Sequence, residues 1–426
     1  MNTLTSYGMT LDQVFSMVVD NGANMLAAVR KLKEELVMLS LREDDDSEEN
    51  FESNDTLTAS LCEVFRERLN LIRCAAHTLQ LAVLDVVNKS NDSIKEITEI
   101  AKKCNNVKYT TNFGHHNATY PPTWCQTRWG GIYVMISSFL KQKQFFEQLA
   151  EQFAELDLSS HWEFIESYAE AFKPVYICSK NLQGSHVSLS DFYIAWLIAI
   201  GEVRRFHKNP LAMKLYETLQ SRLSKLRLSQ AFRMALYLDP RLNFVNSAIF
   251  NGKEKELIQG FITETWNHIC RLNNTDDNAA SSTTTSSSSD AMDANDGYIT
   301  ELFGGSIAAE IDTNQSAFKL QLKALDIEPR QKHNFDVWKH WIKRKSSHPE
   351  LYAVANVVFA TPSSQVSVER AFSALALVLS NQRTCLKEET LANIMIIKLN
   401  KDAFDQILPI LYKWKDVATS VATEPL

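Results

Sequence analysis

The chain has 426 residues, 45% of them apolar, which is enough for a sizeable core and for two to three domains' worth of sequence. It carries 44 basic against 51 acidic residues, a net charge of −7, and this excludes a uniformly basic nucleic-acid coat. One acidic tract, residues 43–55, contributes −8 with no Lys or Arg, so the acidity belongs to a loop and basic patches elsewhere survive the average.

Seven cysteines occur without a Cys-x-x-Cys pair. That argues against a zinc finger and a disulfide framework, and for reduced, intracellular thiols. No apolar run reaches the roughly 18 residues of a membrane span, so no membrane partner is expected. Met1 to Thr10 lacks the basic-then-apolar order of a secretory signal.

The elements follow in chain order. Val14 to Val19 is an apolar run ending at Asp20-Asn21-Gly22, and predicts a buried strand. Met25, Ala28, Val29, Leu32, Leu36 and Leu39 then share one face of a helix. The acidic tract, taken as 43–56, cannot bury enough apolar surface to order itself. Leu69 to Cys74 predicts a second strand. Stretches 135–178, 188–238 and 248–272 carry apolar residues three and four apart and predict helices. Residues 273–297 include nine consecutive Ser and Thr, Ser281 to Ser289, and predict a loop. The fold class is mostly α with a small α/β part.

Several residues bear chemistry. Asp20 stands where a buried strand gives way to a helix, a place where α/β folds put metal and phosphate chemistry; it also suits a plain turn or helix cap. Cys74 and His77 could share a zinc ion, but no second pair lies near, and a half-buried Cys with a His at a helix start is the default reading. Arg128 beside Trp129 can hold a phosphate and stack on a base, or the pair can be core and shield. Pro362 with Ser363 and Ser364 suits a helix start, followed by a stripe of Val368, Phe372, Leu375 and Leu379. Glu369 lies at the rim of that stripe, either ion-paired with Arg370 or Arg383 or facing a site. From Leu391 to Leu399 seven of nine residues are apolar, so that helix needs cover on two sides, from its own core or from a partner chain. Residues 204–233 stand at +7, and residues 330–345 hold six basic residues with Trp338 and Trp341 interleaved. The second patch, with Lys339, Lys343, Arg344 and Lys345, is the better nucleic-acid or nuclear-import surface.

Five of these segments, in this order, resemble the hAT superfamily of DNA transposases and their domesticated descendants. They are Val19 to Met25 (VDNGANM), Cys74 to Leu81 (CAAHTLQL), Thr127 to Tyr133 (TRWGGIY), Leu238 to Leu242 (LDPRL) and Ser367 to Ser373 (SVERAFS). The resemblance implies an RNase H-like domain interrupted by a long all-helical insertion. It divides the chain into a partial RNase H-like lobe over 1–74, an insertion over 75–349, and a final helix with the dimerisation region over 350–426. It implies that Asp20 and Glu369 are the second and third acids of a catalytic, metal-holding triad, with Mg²⁺ or Mn²⁺ as the ions in an active member. It makes Cys74, His77, Arg128 and Trp129 DNA-contacting, and Leu391, Ile394, Met395 and Ile397 part of the dimerisation face.

The chain departs from the pattern at its start. Only 19 residues precede Asp20, and their one acid, Asp12, falls before the strand, so the first acid and the first strands of the domain are expected to be missing, as is a BED-type zinc finger. Two metal ions bring about +4 of charge within roughly 4 Å, which two carboxylates do not offset. An incomplete N-terminal lobe, or one completed by another chain, follows. The expected protein is a truncated, transposase-derived, nuclear homodimer or higher oligomer that binds DNA, does not cut it and needs no cofactor. Two readings stand beside it: an active transposase or nuclease truncated in this sequence, and a helical scaffold or regulatory interaction protein.

Overall fold

A computed structural model describes residues 6–10, 13–20, 31, 70–88, 91–124, 130–184, 187–280, 313–379 and 386–407. Both expected strands form, as β1 (Ser16–Val19) and β2 (Asn70–Arg73). They pair in parallel, Ser16 opposite Asn70 and Val19 opposite Arg73. A parallel pair needs a crossover, which here runs through residues 20–69. The helix expected over Met25 to Leu39, apart from Lys31, and the acidic tract lie outside the described residues.

Helices fill the three stretches that the spacing predicts and form outside them as well. They are α1 (Ala75–Val87), α2 (Asn91–Cys104), α3 (Thr110–His115), α4 (Gly130–Lys141), α5 (Lys143–Gln152), α6 (Trp162–Asn181), α7 (Leu189–Arg205), α8 (Pro210–Leu226), α9 (Gln230–Tyr237) and α10 (Gly252–Ala280). After a further segment come α11 (Thr313–Leu325), α12 (Val337–Arg344), α13 (Pro349–Ala360), α14 (Val366–Val378) and α15 (Glu388–Leu399). A loop boundary differs. The loop expected from 273 begins later, because α10 runs on to Ala280. Extending an existing helix adds one hydrogen bond per residue fixed, so residues that would not start a helix can prolong one. The rest of 273–297 lies outside the described residues.

The chain forms two contact units, Met1–Ser364 and Gln365–Leu426. In the first, α1 packs on α8, α4 on α6, α6 on α7, and α9 on both β2 and α10. Its core holds Trp196, Tyr168, Phe172, Phe192 and Phe232, with Tyr168 and Phe172 stacked 4.1 Å apart. The sheet is tied to distant chain. The Asn70 side-chain oxygen accepts from the Ala231 N–H at 3.2 Å, and the Ser16 and Thr361 hydroxyls meet at 3.1 Å. The second unit contains α14 packed on α15.

Candidate functional site

The two strands end together. Because Val19 is in register with Arg73, the next residues, Asp20 and Cys74, emerge at the same sheet end. The Cys74 N–H donates to the Val19 carbonyl at 2.7 Å, which fixes this juxtaposition. Cys74 is buried and caps α1, its carbonyl accepting the Thr78 N–H and hydroxyl, both at 2.9 Å. His77 sits in the first turn, half-buried, as is Asp20. The C-terminal end of parallel strands is where α/β folds gather chemistry, and three of the expected residues meet there.

Glu369 lies in the first turn of α14, exposed, in the second contact unit, whereas Asp20 belongs to the first. Its helix does not bury the expected stripe. Val368, Phe372 and Leu379 are exposed, and Val378 is the buried position among the described residues. Among the described residues no group of three or more His, Cys, Asp or Glu is placed to hold a metal ion.

Arg128 and Trp129 lie outside the described residues. Trp124, just before them, packs against the core and donates its indole N–H to the Thr98 hydroxyl at 2.8 Å.

The basic patches divide. In 204–233, Arg222 pairs with Asp85 at 2.7 Å and Arg205 with Glu202 at 2.9 Å. Arg227 donates to the Ile249 carbonyl and Arg233 to the Arg227 carbonyl, both at 2.7 Å. Much of that charge therefore braces the fold, leaving Lys208, Lys214 and Lys225 exposed. In 330–345, Lys339, Lys343 and Lys345 are exposed on or next to α12, while Arg344 pairs with Glu328 at 2.6 Å. The interleaved tryptophans are not open to bases as the sequence suggested. Trp341 is 2% exposed and donates to the Leu238 carbonyl at 3.1 Å, and Trp338 is half-buried against Phe359. Their hydrophobic rings contribute more in the core than at the surface.

On α15, Leu391, Ile394 and Met395 are half-buried and Ile397 is 44% exposed; no residue of this helix is buried. Phe372 on α14 is 65% exposed.

Sequence reasoning missed one buried charge network. Arg241, 6% exposed, donates from Nε to the Asp239 carboxylate at 2.9 Å and from Nη2 to Asp191 at 2.7 Å. Burial works against the guanidinium charge, but Asp239 and then Asp191 outweigh it and raise its pKa. Asp191 also completes a capping box with Ser188 at the start of α7. The signal was present in Leu238 to Leu242, since an Asp and an Arg two apart inside an apolar run must pair to be buried.

A model of the hAT family C-terminal dimerisation region matches residues 318–400. A model of the ZBED1 RNase-like helical domain matches residues 72–170. The human zinc finger BED domain-containing protein 4 is similar at 22% identity over 363 residues, covering 80% of this chain and 29% of that protein. The chain thus spans under a third of that relative's length. Both matched segments fall in the order the motifs set, and the chain is similar over them, and to that relative over most of this chain, to hAT transposase-related proteins.

Proposed function

We propose that this is a nuclear, self-associating protein of transposase ancestry that binds DNA without cutting it. Self-association rests on one observation: α15 has seven apolar residues among the nine from Leu391 to Leu399, and none of them is buried. A contiguous exposed apolar face marks a protein interface, and the match to a dimerisation region over 318–400 includes it. A second copy of the chain is the occupant. Light scattering at micromolar concentration should give a dimer or larger mass, and Ile394→Asp or Ile397→Asp should give a monomer. A wild-type monomer, unchanged by either substitution, overturns the proposal.

The two parallel strands leading into α1 are read as part of an RNase H-like sheet, and residues 75–349 as its helical insertion; the helical-domain match over 72–170 supports this. DNA contact is supported by the half-buried His77 and by the exposed Lys339, Lys343 and Lys345; Cys74, buried at 3% exposure, holds the start of α1 instead of touching DNA. The reading without cleavage is supported by charge, since Asp20 and Glu369 by themselves would not offset two divalent ions. Incubation of duplex DNA with Mg²⁺ or Mn²⁺ should yield no nicked product. Nicking that disappears in Asp20→Asn or Glu369→Gln would show an enzyme instead. Among the described residues no helix is long and apolar enough to cross a membrane.

A further inference from the structure

We propose that one end of the groove between α4 and α6 is a landing site for a single nucleic-acid strand; this rests on the DNA-binding reading above and gives it a place. The two helices run antiparallel. Gly130, at the start of α4, lies beside the Tyr176 ring, where an added Cβ would come within 3.6 Å. Lys143, just past the other end of α4, reaches Glu166 at 2.9 Å. The groove between has a volume of about 1130 Å³. That exceeds the roughly 300–1,000 Å³ of small-molecule pockets, and suits a segment of polymer.

The two ends differ in charge. At the far end stand Glu166 and Glu170, the first paired with Lys143 and the second accepting from the Asn209 amide at 3.0 Å. At the Gly130 end, Tyr133 of α4 and Tyr176 of α6 stack with centroids 4.4 Å apart and planes 28° from parallel. Lys173 and Lys180, both exposed, flank Tyr176 one helical turn to each side. The Lys180 ammonium lies 4.9 Å from the Tyr176 ring centroid. From Lys173 onward, no carboxylate lines this end among the described residues.

Alternating rings and ammonium groups match the alternation of base and phosphate along a strand. A stacked pair of half-buried rings is a platform any base can use, and the lysines take phosphates without reading sequence. The strand is single because bases in a duplex offer no free face. An acidic peptide would use the lysines but gains nothing from the stacked rings.

The test measures binding of the full chain to labelled oligothymidylate and to a mixed-sequence duplex by fluorescence anisotropy over a salt series. Lys173→Gln/Lys180→Gln should weaken oligothymidylate binding. It should also flatten the slope of log affinity against log salt by about 1.4, at roughly 0.7 per phosphate contact on single strands. Lys180→Gln alone should give about half that change. An unaltered thermal melt shows that the exposed lysines were not needed for folding. If the wild type binds nucleic acid and the groove variants bind it equally well, the groove assignment is wrong while the DNA-binding reading stands. If neither nucleic acid binds, both fall. If polyglutamate binds in a lysine-dependent way and oligothymidylate does not, the groove is a protein site and the proposal is overturned.

Discussion

At the scale of single residues, the buried guanidinium of Arg241 has the largest stake in its neighbours. Asp239 is fully buried and gives it two oxygens, whereas the Asp191 side chain is 33% exposed and gives it one. Removing one member of a buried pair strands the other charge and costs about 3–5 kcal/mol. Asp239→Asn should therefore lower the urea midpoint sharply, and Asp191→Asn should do so less, because water reaches that contact. Equal losses would show that burial is not what sets the energy. The thiols give a second, pH-linked expectation. Burial pushes Cys104 and Cys178 up to about 12 from 9.0. The unfolded chain then releases these protons first as pH rises, so the stability they support is complete below pH 9 and is lost between about 9 and about 12. Denaturant midpoints measured across that window should fall. At pH 8, iodoacetamide should modify both cysteines only after unfolding, as read by peptide mass.

At the scale of elements, caps do much of the fixing. Asn209 accepts the Leu211 and Ala212 N–H groups at the start of α8, and its amide donates to the Ser167 carbonyl and Glu170 on α6. Loss of such a cap costs about 0.5–2 kcal/mol, and here it also opens the bonds to α6. Asn209→Ala should thus destabilise by about 2 kcal/mol in chemical denaturation; a loss within a few tenths would show that the cap is replaceable. These helices were legible because an apolar face repeats at helical spacing wherever a helix lies on a core. Both strands were legible too, since short apolar runs ended in turn residues. Longer-range competition was not legible. Pro362, Ser363 and Ser364 read as a helix start, yet α14 begins at Val366. Ser363 is held elsewhere, its carbonyl accepting the Ala75 N–H at 2.9 Å and its hydroxyl donating to the Val187 carbonyl at 2.9 Å. The same blindness affected the candidate site. A local pattern shows that Trp338 and Trp341 lie among lysines, but not that Leu238 offers a carbonyl to Trp341. The meeting of Asp20 with Cys74 depended on strand register, which spacing alone does not state.

At the scale of the whole molecule, the dimerisation-region match over 318–400 spans two contact units with different surfaces. Its earlier part, α11 to α13, is core of the first unit, with Phe318, Leu322, Trp341, Leu351, Val354 and Val358 buried. Its later part, α14 and α15, bears the exposed Phe372, Ile396 and Ile397. An interface between copies must come from side chains that are not already spent on the fold, so the proposed self-association belongs to the later part. Two substitutions separate these roles. Trp341→Ala leaves a cavity and an unmet carbonyl, and should cost about 3–5 kcal/mol. It should lower the melting temperature while the mass by light scattering, measured well below the melt, stays that of the oligomer. Phe372→Asp should do the reverse, giving a monomer whose main transition no longer shifts with protein concentration, since association stabilises only by mass action. If Trp341→Ala dissociates the protein while it is still folded, or Phe372→Asp leaves its mass unchanged, the interface includes helices assigned here to the core.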